Sequence, residues 1–265
     1  MKLIVSGATG FLGREVVRQS LATPGVTSVV ALARKPVTFS DSELLPGSDA
    51  GKLVHATIKD YGEYPPEVTA HFAGADACIW TVGISPFKSK TYPWPEVVRV
   101  CQTCTIQGFS AMLDATATVA VPPSTSDGSG GGSEGRPFRF VYVSGMGAEP
   151  DQSKKPFFSP QYLLMRGETE NKVHSLPASH PGAANRPVST AACRFGMISS
   201  PGMAGSLMGS LAKGATGWPT LSSVEGARVL IDQAVNGFYE GKGTLTAGDM
   251  AAIWKRISAE EEGKV

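Results

Sequence analysis

The chain of 265 residues is poor in the features that mark several protein classes. It has only four cysteines and four histidines. Four thiols at this length make no disulfide framework. Cys101 and Cys104 form a C-x-x-C with no second such pair and no histidine pair beside it, so a zinc site is poorly supported and no metal is expected. Spaced i, i+3 on a predicted helix, the two read as small apolar core residues on one face. His55, His71, His174 and His180 are scattered, which suits surface or packing positions better than a general base. Charge of one sign is lacking too. The formal net charge of +1 gives no pull toward nucleic acid or a membrane surface, and neither partner is expected. No apolar run is long enough to span a bilayer. The apolar stretch Leu3–Val5 is too short for a signal peptide and meets glycine at once, so a cytoplasmic protein is the expectation.

What is present is alternation. Strand-like runs occur at Leu3–Ser6, Ser28–Ala33, Leu53–Ile58, Ala77–Val82, Phe138–Ser144 and Ser189–Phe195. Between and after them lie helical patterns at Gly13–Leu21, Trp94–Thr116, Ser159–Leu176 and Val224–Glu240. Short buried strands alternating with helices predict an α/β fold, a doubly wound parallel sheet covered on both faces. Residues 1–265 read as one domain. Loops are expected at Pro36–Gly51 and Pro177–Pro187, and a surface insertion, too rich in Ser and Gly to build a core, at Pro122–Pro137.

The stretch K-L-I-V-S-G-A-T-G-F-L-G, Lys2 to Gly13, carries the first functional signal. A strand runs into Gly7, Gly10 and Gly13, and an amphipathic helix begins. Such a turn aims backbone N–H groups and the positive end of the helix dipole at an anion. Gly7, Thr9, Gly10, Phe11, Leu12 and Gly13 are therefore the expected cradle of a dinucleotide pyrophosphate. A site for NAD places Asp or Glu near the end of strand two, to hold the ribose 2′-hydroxyl. Here that region reads Ala31-Leu32-Ala33-Arg34-Lys35, with no acid and two cations. Arg34 and Lys35 suit a 2′-phosphate, which favours NADP, unless they are only solvated loop charges. Asp60, after strand three, either accepts from the adenine amino group or forms a turn.

Ligands of open α/β sheets lie beyond the carboxyl ends of the strands. That selects Gly83, Ser144 and the Arg194–Gly196 stretch, and the helix after strand five adds Tyr162 and Arg166, four residues apart on one face. Each has a plain alternative. Tyr162 could pack its ring inward, Arg166 could form a surface pair with Glu170, Ser144 could cap a strand, and Arg194 could be structural or sit at the cofactor rim. Phe87–Trp94 and the segment from about 197 to 220, with Met197, Met203, Leu207, Met208 and Trp218, either border a pocket for a small hydrophobic substrate or are ordinary core. The glycines of the second segment would let it move as a lid.

The ordered set G-A-T-G-F-L-G (Gly7–Gly13), A-L-A-R (Ala31–Arg34), V-Y-V-S-G-M-G-A-E (Val141–Glu149), S-P-Q-Y-L-L-M-R-G-E-T-E (Ser159–Glu170) and C-R-F-G-M-I (Cys193–Ile198) resembles the short-chain dehydrogenase/reductase superfamily, in its atypical or extended branch. The resemblance covers most of the chain and implies a Rossmann fold. It also implies an NADP(H)-dependent oxidoreductase acting on a carbonyl or alcohol, with a place in secondary metabolism like that of fungal relatives. In that family a Ser orients the substrate oxygen, a Tyr passes the proton, and a Lys four residues later holds the nicotinamide ribose. Ser144 and Tyr162 match the first two, with Gly145 leaving the serine register open. Arg166 stands where the family has Lys, and an arginine cannot relay a proton. That departure keeps two other readings in play: a cofactor-assisted isomerase, epimerase or cyclase, and a non-enzymatic NADPH sensor. A monomer and a homodimer both fit.

Overall fold

A computed structural model of the protein describes residues 1–117, 136–200 and 220–263. Most of the expected insertion at 122–137 and most of the segment from 197 to 220 lie outside the described residues.

Seven parallel strands form the central sheet: β1 (Lys2–Ser6), β2 (Ser28–Ala33), β3 (Leu53–Thr57), β4 (Ala77–Trp80), β5 (Phe138–Gly145), β6 (Val188–Phe195) and β9 (Thr244–Leu245), in the spatial order 3-2-1-4-5-6-9. The doubly wound sheet is as expected. The sixth strand of the sequence reading is followed in the sheet by β9, only two residues long, which is too short to leave a periodic signal. A separate pair, β7 (Met197–Ser199) with β8 (Thr220–Ser222), flanks the sheet's C-terminal side in sequence.

Period-two alternation divides the core. Leu3, Val5, Val29, Ala31, Ile79, Val141 and Cys193 point to one face and pack with α1 (Phe11–Ala22), α7 (Ser223–Asn236) and α8 (Ala247–Glu262). Ile4, Val30, Leu32, Cys78, Trp80, Phe140, Tyr142 and Ala192 point to the other, where α5 (Cys104–Ala117) and α6 (Pro160–Ser179) lie. Both faces are buried, so the strands read as continuous apolar runs. The short helices α2 (Pro66–Thr69), α3 (Pro86–Ser89) and α4 (Trp94–Val98) fill the connections.

Three expectations are corrected. The helix expected over Trp94–Thr116 is interrupted by a π turn at Arg99–Thr103, so Cys101 and Cys104 do not share a regular α-helical face. Both are buried, as core residues should be. The loop expected from Pro177 begins later, because α6 runs through Pro177 to Ser179. The late helix stops at Asn236, ahead of Gly237 in a positive-φ conformation, and not at Glu240.

Candidate functional site

The strand order reverses between β1 and β4, and a cleft of about 410 Å³ opens there. The glycine turn makes its floor. Gly7 has φ of +78°, and a Cβ on it would come within 2.6 Å of Thr81 Oγ1. A Cβ on Gly13 would lie 2.2 Å from the Gly7 carbonyl oxygen, so helix α1 can approach the strand this closely only without one. The Gly10 N–H closes the turn on the Gly7 carbonyl at 2.8 Å. Helix α1 then starts with Gly10 as its cap, no capping side chain and no acid in its first turn. The first N–H groups of a helix have no partner within it, and the residues just before this helix, Gly7, Thr9 and Gly10, line the cleft.

Of the residues expected in the cradle, Gly7, Thr9 and Gly10 line the cleft. Phe11 is exposed beside it, while Leu12 turns its side chain into the core and has only its backbone to offer. Arg34 lines the cleft at the end of β2; Lys35 is exposed next to it but is not part of the wall. Gly83 lines it too. Asp60 lines it and also forms a turn, accepting from the Gly62 N–H at 2.7 Å. Its carboxylate takes Arg99 Nη1 at 2.8 and 3.0 Å as well. Arg99 and the Gly62 N–H hold the Asp60 carboxyl below the usual carboxylate range.

Sequence reasoning missed three residues here. Tyr61 accepts from the Gly7 N–H at 3.1 Å and donates to the Leu32 carbonyl at 3.0 Å, tying the glycine turn to β2. Burial pushes its phenol up to about 12, so it stays a neutral structural donor. Thr81 donates to the Ser6 carbonyl at 2.7 Å. Arg99 arrives from the π turn, which no pattern of apolar residues announces.

Tyr162 and Arg166 form a second cluster behind the loop after β4. The Tyr162 hydroxyl donates to the Ile84 carbonyl at 2.8 Å. The Ile84 N–H points at Cys101 Sγ, 3.2 Å away, so that loop is gripped from two sides. Burial raises the Tyr162 phenol above its ordinary value, and the neighbouring Arg166 pulls it back only in part. Arg166 is 5% exposed. Nη2 donates to the Val143 carbonyl at 2.6 Å, and the guanidinium lies 4.8 Å from the centre of the Tyr142 ring. Its buried Nε has no partner among the described residues. Nη1 comes within 3.6 Å of where a side chain on Gly83 would begin, and Gly83 lines the cleft, whereas Arg166 itself does not.

The structure does not pair Arg166 with Glu170. Glu170 is 2% exposed and accepts from Arg194 Nε at 3.0 Å and Nη2 at 2.5 Å. It also accepts from Ser144 Oγ at 2.6 Å. The surface-pair alternative for Arg166 is thereby overturned: both side chains are buried, and each has other partners. Ser144 and Arg194 share one buried carboxylate across neighbouring strands, in register at Ser144 and Arg194. Neither lines the described cleft.

No protein-family model and no curated protein matches the sequence. Solved structures do match the fold. A short-chain dehydrogenase/reductase from Saccharomyces cerevisiae is 16% identical, with 94% of this chain and 97% of that one covered and a TM-score of 0.59. A short-chain dehydrogenase/reductase family oxidoreductase from Burkholderia thailandensis is 15% identical over 94% and 92% of the two chains, with a TM-score of 0.59. MoeE5, solved in complex with UDP-glucose and NAD, is 18% identical over 93% and 75%, again at 0.59. At such identities the likeness establishes the Rossmann fold shared with these enzymes.

Proposed function

We propose that this chain is a short-chain dehydrogenase/reductase that binds NADP(H) and interconverts a carbonyl and an alcohol on a small apolar molecule. The observation that carries the reading is the cleft at the β1/β4 reversal, where an uncapped helix N-terminus meets a turn that tolerates no side chain on Gly7 or Gly13. The group fits: the bare turn from Gly7 to Gly13, with Thr9, Gly10, Phe11 and Leu12, would hold the pyrophosphate through backbone N–H groups. Arg34, with Lys35 nearby, would take a 2′-phosphate, and Asp60 and Gly83 would border the adenosine and nicotinamide ends. The bound cofactor supplies the hydride.

Tyr162 carries the proton. Burial raises its phenol further above an ordinary value that already keeps it protonated at neutral pH, which suits donation to a carbonyl oxygen. To act it must leave the Ile84 carbonyl. Arg166 supplies a fixed positive charge beside it. The one hydrogen of Ser144 is committed to Glu170, so orienting a substrate oxygen requires that hydroxyl to rotate. Arg194 supports the site through the same carboxylate. Phe87, Tyr92, Trp94, Phe157 and Phe158 are large apolar side chains left exposed at the starts of α3, α4 and α6, which favours an apolar substrate.

Fluorescence titration with NADPH and NADH tests the cofactor, and a panel of apolar ketones tests the chemistry. The expected result is tighter binding of NADPH and turnover that Tyr162→Phe lowers about 10²- to 10⁴-fold while NADPH binding persists. Absence of binding by either nucleotide overturns the reading. NADPH binding with no turnover by the wild type would instead favour a nucleotide sensor, and full turnover in Tyr162→Phe would remove Tyr162 from the chemistry.

A further inference from the structure

The acid that an NAD site keeps beside the adenosine ribose is missing from the end of β2, yet the cleft wall next to Arg34 does hold a carboxylate, that of Asp60. A 2′-phosphate seated on Arg34 would meet it. Asp60 does not face the cleft alone. Arg99 Nη1 lies 2.8 Å from one of its oxygens and 3.0 Å from the other. The opposite edge of the same guanidinium is held by Glu96, with Nε to Oε2 at 2.7 Å and Nη2 to Oε1 at 2.8 Å. Arg99 therefore spans from the π turn between α4 and α5 to the loop after β3. It is aimed from both ends: a five-donor fork matched to two carboxylates. Arg34, Lys59, Asp60, Glu96 and Arg99 all line this one cleft. Arg34 and Lys59 have no ion pair among the described residues.

The geometry points to Arg99 as a specificity-determining residue that acts through Asp60: by offsetting the charge of that carboxylate it leaves Arg34 and Lys59 less opposed, so that the cleft accepts the extra phosphate of NADP(H). This rests on the NADP reading above and adds a residue to it. Without Arg99, two carboxylates would stand beside Arg34, Lys59 and Lys88, the remaining cations of the lining, and the carboxylate nearest Arg34 would lose its partner. The penalty falls on the ligand with the additional phosphate. A nucleotide with a free 2′-hydroxyl brings no charge to that corner and should be nearly indifferent. A carboxylate released from Arg99 could even accept from that hydroxyl. Arg99 stands where α4 ends and the π turn begins, its N–H bonded to the Pro95 and Glu96 carbonyls, so its grip on Glu96 is an ordinary i, i+3 helical pair.

The test is a double-mutant cycle read by nucleotide binding, not turnover. Dissociation constants for NADPH and NADH are measured by fluorescence titration for the wild type, Arg99→Gln, Arg99→Lys, Asp60→Asn and the Arg99→Gln/Asp60→Asn double variant, with thermal melting to establish that each is folded. Charges in a half-exposed, screened cleft are worth modest factors, so Arg99→Gln should weaken NADPH about 5- to 20-fold and NADH by less than about 2-fold. Arg99→Lys should retain most of the preference. Adding Asp60→Asn to Arg99→Gln should bring NADPH back to within about 3-fold of the wild type, because the offending charge is gone. Equal weakening of both nucleotides by Arg99→Gln, or failure of Asp60→Asn to restore NADPH, overturns the inference while the NADP reading stands. A wild type that shows no preference for NADPH overturns both.

Discussion

Arg166 is expensive as a structural residue. Its guanidinium is buried, one hydrogen bond to a carbonyl and one aromatic face serve it, and Nε has no acceptor. A buried cation with no carboxylate bonded to it and an unsatisfied N–H costs free energy that a methionine of similar length would not. Retaining it makes sense if the charge serves the chemistry beside Tyr162, at the expense of stability. Arg166→Met should therefore leave the melting temperature unchanged or raise it, while turnover falls by at least about 10²-fold through loss of the charge that favours the phenolate. Scanning calorimetry with the ketone assay checks this. A melting temperature lowered by several degrees would show the guanidinium to be structural. The identity of this residue was legible in the sequence, from its spacing to Tyr162. Its environment was not: the i, i+4 spacing to Glu170 looks like a surface pair, and only the burial of both side chains by the sheet excludes it.

At the scale of elements, α6 is locked to the sheet by contacts one turn apart. Arg166 reaches the Val143 carbonyl, and Glu170 takes Ser144 on β5 and Arg194 on β6. This fixes how far Tyr162 stands from the loop after β4. Glu170→Gln removes the charge that compensates Arg194, and breaking an ion pair by neutralising one partner costs most where the other is buried. Arg194 retains some exposure, which softens the penalty, so the expected loss is about 2–4 kcal/mol in urea unfolding. An effect below about 0.5 kcal/mol would mean that water replaces the pair. The elements themselves were legible to different depths. Strands β1, β2, β4 and β5 announce themselves as apolar runs, because both faces of each are covered. Helix α8 went unread among the Glu and Lys of its last turns, though Ala247, Met250, Ile253 and Ile257 form its buried stripe. The π turn leaves no trace in hydrophobic periodicity, yet it delivers Arg99 and Cys101 to the site.

For the whole molecule, the sheet order puts the glycine turn, Arg34, Asp60 and Gly83 around one crevice, and that convergence follows from topology rather than from any single motif. The same topology does not choose between net and transient redox, since the solved structures of similar fold include both reductases and a UDP-N-acetylglucosamine 4-epimerase. The distinction lies in how the oxidised intermediate would be kept. An isomerase or epimerase must hold a ketone in place between two hydride steps, which calls for polar anchors away from the reacting carbon. Among the described residues, Phe87, Tyr92, Trp94, Phe157 and Phe158 are large side chains left exposed, and apolar surface of this kind binds by burial and fixes orientation poorly. Net reduction followed by release is what the proposed function expects. With a ketone turned over by the wild type, nicotinamide absorbance should fall by one equivalent for each alcohol quantified by mass spectrometry. The ratio should hold through many turnovers and track NADPH supply. Product that accumulates with no net loss of absorbance would assign the same cleft and the same Tyr162 to an isomerase instead.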